Sequence, residues 1–186
     1  MSFSTLPFLF YFLPVFLTAY YLSPAIWRNL VLGAGSLLFY YLGAGTGGTL
    51  TLLALIVINF SAARLIEDAH GDERKAFTVL ALACDFGSLF YFKYMGWFLE
   101  NLGKLTETDL SFFHVALPLG VSFYVFQSAA YVIDVYRGDA DAERSLINYT
   151  AFQAMFPQLT MGPILRLRDV HSELHARRSF RRENLE

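Results

Sequence analysis

The sequence predicts an all-α, polytopic integral membrane protein, with about five transmembrane helices and a re-entrant or broken sixth segment. Three observations lead there. The 186 residues are 55% hydrophobic and 17% aromatic but only 16% charged, with a mean hydropathy of +0.43, outside the norm for soluble domains. Several segments approach or exceed the roughly 20 apolar residues that a helix needs to cross a hydrocarbon layer about 30 Å thick. The formal net charge of −2 hides an uneven layout, with a cluster of acids in the stretch from Glu67 to Glu73 and arginines crowding the last twenty positions.

The opening "MSFSTLPFLFYFLPVFLTAYYL" has no basic n-region and is rich in Phe and Tyr, so it reads as a retained first span rather than a cleaved signal peptide. Spans follow at about 7–23, 29–43, 48–66, 76–99 and 113–136. "GAGTGG", Gly43 to Gly48, reads as a tight turn between the second and third spans, and "EDAHGDERK", Glu67 to Lys75, as a hydrophilic loop between the third and fourth. Pro118 falls near the start of the fifth span, where neighbouring helices or water can satisfy the freed carbonyl. With the N-terminus outside, Arg28, Arg64, Arg74, Lys75, Arg137 and Arg144 all lie on the cytoplasmic side and Lys104 outside, as the positive-inside bias requires.

"LINYTAFQAMFPQLTMGPILRLRD", Leu146 to Asp169, is interrupted by Pro157 and Pro163 and holds Gln153, Gln158 and Thr160. It is expected to dip in and return, because irregular backbone at membrane depth survives only within protein or a wet cavity. Its return keeps Arg166, Arg168 and the later arginines on the cytoplasmic side. Residues 1–186 thus read as a single transmembrane unit, with 170–186 a basic cytoplasmic tail or connection. These arginines suit anionic lipid headgroups, and no nucleic-acid partner is expected.

Candidate polar groups concentrate in the fifth span. At helical spacing Gly120, Tyr124, Gln127, Tyr131 and Asp134 share one stripe, while Val125, Phe126, Ala129, Val132 and Ile133 cover the rest. The stripe serves either interhelical hydrogen bonding, with Asp134 paired to Arg137 three residues on, or the lining of a cavity. Asp85 and Lys93 charge the fourth span; Asp85 has no partner in its own helix and is expected to meet another span, whereas Lys93 can snorkel. Lone Cys84 reads as a packed thiol with no disulfide partner. "GAGTGG" formally matches G-x-G-x-x-G, but there is no strand before it and no soluble βαβ unit around it. His171 and His175, four apart, make half of a zinc site; no third ligand is apparent, so no metal is assigned. His70 and His114 have no catalytic neighbours, and no Ser/His/Asp set can be assembled.

"PLGVSFYVFQSAAYVIDVYRGD" and "FPQLTMGPILRLRDV", together with "FLFYFLPVFLTAYYL", "RNLVLGAGSLLFYY" and "YFKYMGWF" in the same order, closely resemble the alginate O-acetylation branch of the bacterial membrane-bound O-acyltransferase family. The resemblance covers nearly the whole chain. It implies a bacterial inner-membrane enzyme with a periplasmic N-terminus that passes acetyl groups across the membrane to an exported polysaccharide, alginate first. It holds no permanently bound cofactor; acetyl-CoA or another acyl thioester is the donor, and a periplasmic acetyltransferase is the partner. The family builds a funnel around a histidine in a later span, so the resemblance places no catalytic residue in this chain, which it identifies as the N-terminal portion and expects to be inactive alone. Ser122, Tyr124, Gln127, Tyr131, Asp134, Tyr136 and Arg137 match one signature, and Pro157, Gln158, Gly162, Pro163, Arg166 and Arg168 the other. Of these, Ser122, Tyr124, Gln127, Tyr131, Asp134, Arg137, Gln158, Pro163 and Arg166 are expected to line the cavity or position substrate. Related proteins often carry histidine where this chain has Gln158. The residues alone also admit a transporter or channel module, for which no inverted repeat is visible, or a noncatalytic membrane scaffold.

Overall fold

Proline and glycine set the breaks between helices. The computed structural model describes residues 5–106, 117–159 and 165–175, and among these every regular element is helical. Helix α1 runs Phe8–Leu22 and opens on a π turn, Phe8–Phe12. Pro14 has no N–H and its ring crowds the carbonyl four residues back, so the wider turn before it relieves the clash. The helix stops at Ser23, extended at φ −72° and ψ 138°, as the residue before Pro24 must be.

Helix α2, Arg28–Asp68, is broken only at Gly45, with φ 70° and ψ −173°. That region of backbone space is essentially open to glycine alone, and here it folds the chain back on itself. A Cβ on Gly33 would lie 3.4 Å from the Ala151 backbone nitrogen, while the Phe60 ring sits 6.1 Å from that of Tyr149. On one continuous helix residues 33 and 60 would stand about 40 Å apart, yet both meet a single nine-residue helix, α5, Leu146–Ala154. Residues 28–44 and 46–68 are therefore two antiparallel arms. The segments expected at 29–43 and 48–66 are the two helical arms, but the turn between them is one residue rather than six.

The expected hydrophilic loop Glu67–Lys75 is shorter still. Only Ala69 and His70 lie between α2 and α3, Gly71–Thr106; the acidic residues became helix ends, with Asp72 and Glu73 in the first turn of α3, where the helix dipole favours them. Helix α3 runs antiparallel to the second arm of α2 and to α4, Val121–Arg137, as shown by the Asn59–Asp85 and Arg74–Val135 hydrogen bonds. The fifth span also differs from the expected 113–136. Pro118 lies in a turn before the helix, and Gly120, at φ 69°, caps it, so the described helix starts at Val121.

The segment after α4 enters and leaves at one end of the bundle. Helix α5 begins at an N-cap, Ser145, whose side chain accepts from the Asn148 amide. It breaks at Met155 because Pro157 cannot continue a helix past the carbonyl of Gln153; the short α6, Phe156–Leu159, follows, and α7 spans Leu167–His175. Asn29 Nδ2 donates both to Asn148 Oδ1, 2.9 Å away, and to the Leu174 carbonyl, 2.7 Å away. One side chain thus touches the inward and the returning limb.

Helix α4 sits in the middle, against α2, α3 and α5, and both its polar stripe and Val125, Ala129 and Val132 are buried. Outward-facing positions are apolar: Phe10, Val15, Leu22, Leu42, Val57, Leu80 and Trp97 are all exposed, whereas Ser36, Asn59, Asp85, Gln127, Ser128 and Gln153 are buried. Polar inside and apolar outside is the pattern a hydrocarbon solvent selects. The two helices Arg28–Asp68 and Gly71–Thr106 are long and apolar enough to cross a membrane. Small residues permit close approach between helices: a Cβ on Gly35 would fall 2.5 Å from the Phe16 ring.

Candidate functional site

The α4 stripe faces α5 and the first arm of α2. Gln153, on α5, donates from Nε2 to the Tyr124 carbonyl at 2.7 Å and to Ser128 Oγ at 2.8 Å, and Gln127 Nε2 reaches the Phe152 carbonyl at 3.4 Å. The Tyr131 ring lies 4.9 Å from that of Tyr149; its hydroxyl accepts from the Glu143 amide at 2.9 Å. Tyr124 meets Tyr40 edge-on at 6.3 Å, and Tyr40 donates to the Leu119 carbonyl. These are neutral groups paired across helices, the arrangement that keeps polar atoms affordable away from water. Asp85 follows the same rule. It is fully buried, and its Oδ1 accepts from Asn59 Nδ2 at 2.7 Å.

At the end where α2 begins and α3 starts, charge takes over. Asp134 is buried, and its Oδ1 lies 3.6 Å from the half-exposed Arg166 guanidinium, 32 residues further on. Arg137, the partner considered from spacing alone, is exposed and makes no ion pair with Asp134 among those of the described residues. Asp134 is buried with the stripe, whereas Arg137 is the last residue of α4 and lies at the exposed helix end. Glu67 accepts from the Ala142 amide and pairs with Arg144, tying the loop after α4 to the end of α2. Arg168 approaches Asp139 at 4.0 Å and Asp169 at 3.6 Å, and Arg74 donates to the Val135 carbonyl while lying over the Tyr136 ring. A cleft of about 180 Å³ between Asp139, Asp141, Leu167, Arg168 and His171 opens at this end.

Of the residues singled out from sequence, Tyr124, Gln127, Tyr131 and Asp134 lie on one buried face, with Arg166 brought to its end. Ser122 is half-buried in the first turn of α4. Gln158 is half-buried on α6, its Oε1 without a hydrogen-bond partner among the described residues. Pro163 lies outside the described residues, as does most of the basic stretch 170–186. Sequence reasoning passed over Ser128 and read Gln153 only as a polar residue of the broken segment, although a glutamine in an apolar run is a signal in itself. It also passed over Glu143, which stands in an acidic loop that looks solvated but is 2% exposed.

No family model and no solved structure matches the chain. Among curated proteins, the chain is 40% identical over 189 residues to "Probable alginate O-acetylase AlgI" of Azotobacter vinelandii, covering 95% of this chain and 36% of that protein. It is 39% identical over 183 residues to the protein of the same name from Pseudomonas aeruginosa, covering 95% and 35%. Similarity extends to the "Peptidoglycan O-acetyltransferase" of Helicobacter pylori at 27% over 206 residues, covering 94% and 38%. The chain therefore spans little more than a third of the length of the curated relatives it matches. The buried polar face of α4 and the proline-broken segment after it both lie within that span, along which the chain is similar to curated alginate O-acetylases.

Proposed function

We propose that the chain is the N-terminal portion of an enzyme that passes acetyl groups across a bacterial inner membrane for O-acetylation of an exported polysaccharide. The observation carrying this reading is 39–40% identity to alginate O-acetylases along 95% of the chain. The weaker match to a peptidoglycan enzyme, 27%, makes alginate the favoured acceptor. The arms of α2 and the helices α1, α3 and α4 cross the bilayer, and the segment from α5 to α7 is re-entrant. The end bearing Arg28, Arg64, Arg74, Lys75, Arg137, Arg144, Arg166 and Arg168 faces the cytoplasm, which leaves the N-terminus periplasmic.

Acyl transfer from a thioester needs a base for the acceptor hydroxyl and donors for the developing oxyanion. By the family resemblance the base belongs to a later span. This chain supplies a wall and a mouth. The α4 stripe presents neutral hydrogen-bonding groups that keep the passage polar without placing a free charge in it. Arg166 and Arg168 are held half-exposed at the cytoplasmic mouth by Asp134 and Asp139, where guanidinium groups can grip an anionic donor such as acetyl-CoA. A periplasmic acetyltransferase then takes the acetyl group to the polymer.

The test replaces Asp134 with Asn in the full-length protein and measures membrane accumulation together with acetylation of the surface polysaccharide. Normal accumulation with acetylation reduced about tenfold, equivalent to roughly 1.4 kcal/mol, is expected. Normal levels of both reject the assignment of Asp134 to the mouth, and loss of the protein assigns the residue to structure alone.

A further inference from the structure

Glu143, in the loop between α4 and α5, lies against His171 and His175 on α7. Its Oε1 is 3.5 Å from His175 Nε2 and its Oε2 is 3.9 Å from His171 Nε2. The three ligand atoms all fall within 4.8 Å of one another, and the two imidazole rings are 4.2 Å apart. Tetrahedral zinc with bonds of about 2.0–2.2 Å sets neighbouring ligand atoms roughly 3.3–3.6 Å apart, so only a slight contraction separates this cluster from a coordination shell.

Two features indicate that the cluster is prepared for a cation. His175 Nδ1 is 3.0 Å from the His171 carbonyl; a carbonyl only accepts, so Nδ1 donates and Nε2 is the ring nitrogen turned toward Glu143. A ring N–H given to a backbone carbonyl is the outer-shell contact that orients metal-bound histidines. Asn148 Nδ2, 3.3 Å from the same Nε2, is the donor that ligation would displace. The second feature is the carboxylate. Glu143 is 2% exposed; Oε1 accepts from the Ser145 amide at 2.9 Å, but Oε2 is buried with no hydrogen-bond partner among the described residues. Nearby guanidinium groups are engaged elsewhere, Arg144 with Glu67 and Arg168 with Asp139 and Asp169. Among the described residues the ionisable groups within 4 Å of this buried carboxylate are the two imidazoles, and a carboxylate so placed calls for positive charge.

We propose that Glu143, His171 and His175 bind one zinc-type divalent metal ion, which staples helix α7 to the loop between α4 and α5. The histidine side chains are 46% and 44% exposed, so the fourth position opens to water. Borderline-soft imidazoles with one carboxylate favour zinc or cobalt over magnesium or calcium. The site is independent of acyl transfer and does not rest on it.

The experiment uses the full chain purified in detergent, titrated with Co²⁺ under visible spectroscopy and then with Zn²⁺. Expected are one Co²⁺ per chain with the intense visible bands of four-coordinate cobalt, displacement by Zn²⁺, and a rise in melting temperature with Zn²⁺. Glu143→Gln and His171→Ala should each weaken binding by about tenfold or more, and His70→Ala, at an exposed position, should leave it unchanged. A wild-type chain that gives no such spectrum, or variants that bind as the wild type does, overturn the proposal and leave a histidine–carboxylate ion pair. The wild-type spectrum and His171→Ala, at a half-exposed residue, decide the matter even if Glu143→Gln fails to fold.

Discussion

Asp85 and Asp134 are both buried carboxylates on helices that pack against each other, and they are held in opposite ways. Asp85, inside the bundle, accepts from the Asn59 amide, and that amide is itself fixed by the Leu55 carbonyl. Asp134, at the charged end, has a guanidinium at 3.6 Å that reaches in from water. Deep in the bundle no solvent can repair a lost contact, so a rigid neutral donor is required. Near the surface a long, half-hydrated cation suffices and stays free to move. The interior holds the helices in register, while the charged end is where we propose the acyl donor is gripped.

The contrast is broken most forcefully from the interior side. Asn59→Leu strips Asp85 of its donor and should cost about 1–3 kcal/mol of stability, read as a lower melting temperature in detergent. The double variant Asn59→Leu with Asp85→Leu should recover most of that loss, because two apolar partners leave nothing unsatisfied. If the double variant is worse than the single, the pair is not an isolated unit.

A comparable loss is expected without any contact being touched. A Cβ on Gly45 would meet nothing within 4 Å, so Gly45→Ala tests backbone strain alone and should cost about 1–3 kcal/mol. Inside an ordinary helix the same change would gain roughly 1 kcal/mol. A stabilised Gly45→Ala protein would mean that the two arms of α2 do not depend on that turn.

The smallest effect belongs to the charged end. Arg144→Ala removes an ion pair whose side chains are 63% and 23% exposed, and it should change stability by less than about 1 kcal/mol, with what effect there is fading as salt is added. An effect as large as that of Asn59→Leu would erase the distinction between the two regions.

Much of this was legible from local pattern. The helical class, the glycine turn, the stop before Pro24 and the shared face of Tyr124, Gln127, Tyr131 and Asp134 each follow from a few consecutive residues. The break in the segment after α4 was legible from Pro157. Two expectations gave way for identifiable reasons. The hydrophilic run Glu67–Lys75 looks like a loop, yet helix ends tolerate acids and arginines as readily as loops do. Pro118 looks tolerable inside a span, yet with Gly120 beside it the chain turns first and starts the helix afterwards.

Composition and periodicity by themselves determined that the chain is helical, that its long helices are apolar enough to cross a membrane and which residues share a helix face, since these depend on steric and solvation preferences repeated every few positions. Only the tertiary structure decided who meets whom: Asp85 with Asn59, Asp134 with Arg166 rather than Arg137, and Glu143 with His171 and His175. Partners 26 to 32 residues apart are chosen by helix register and by the route of the broken segment. No local spacing rule carries that information.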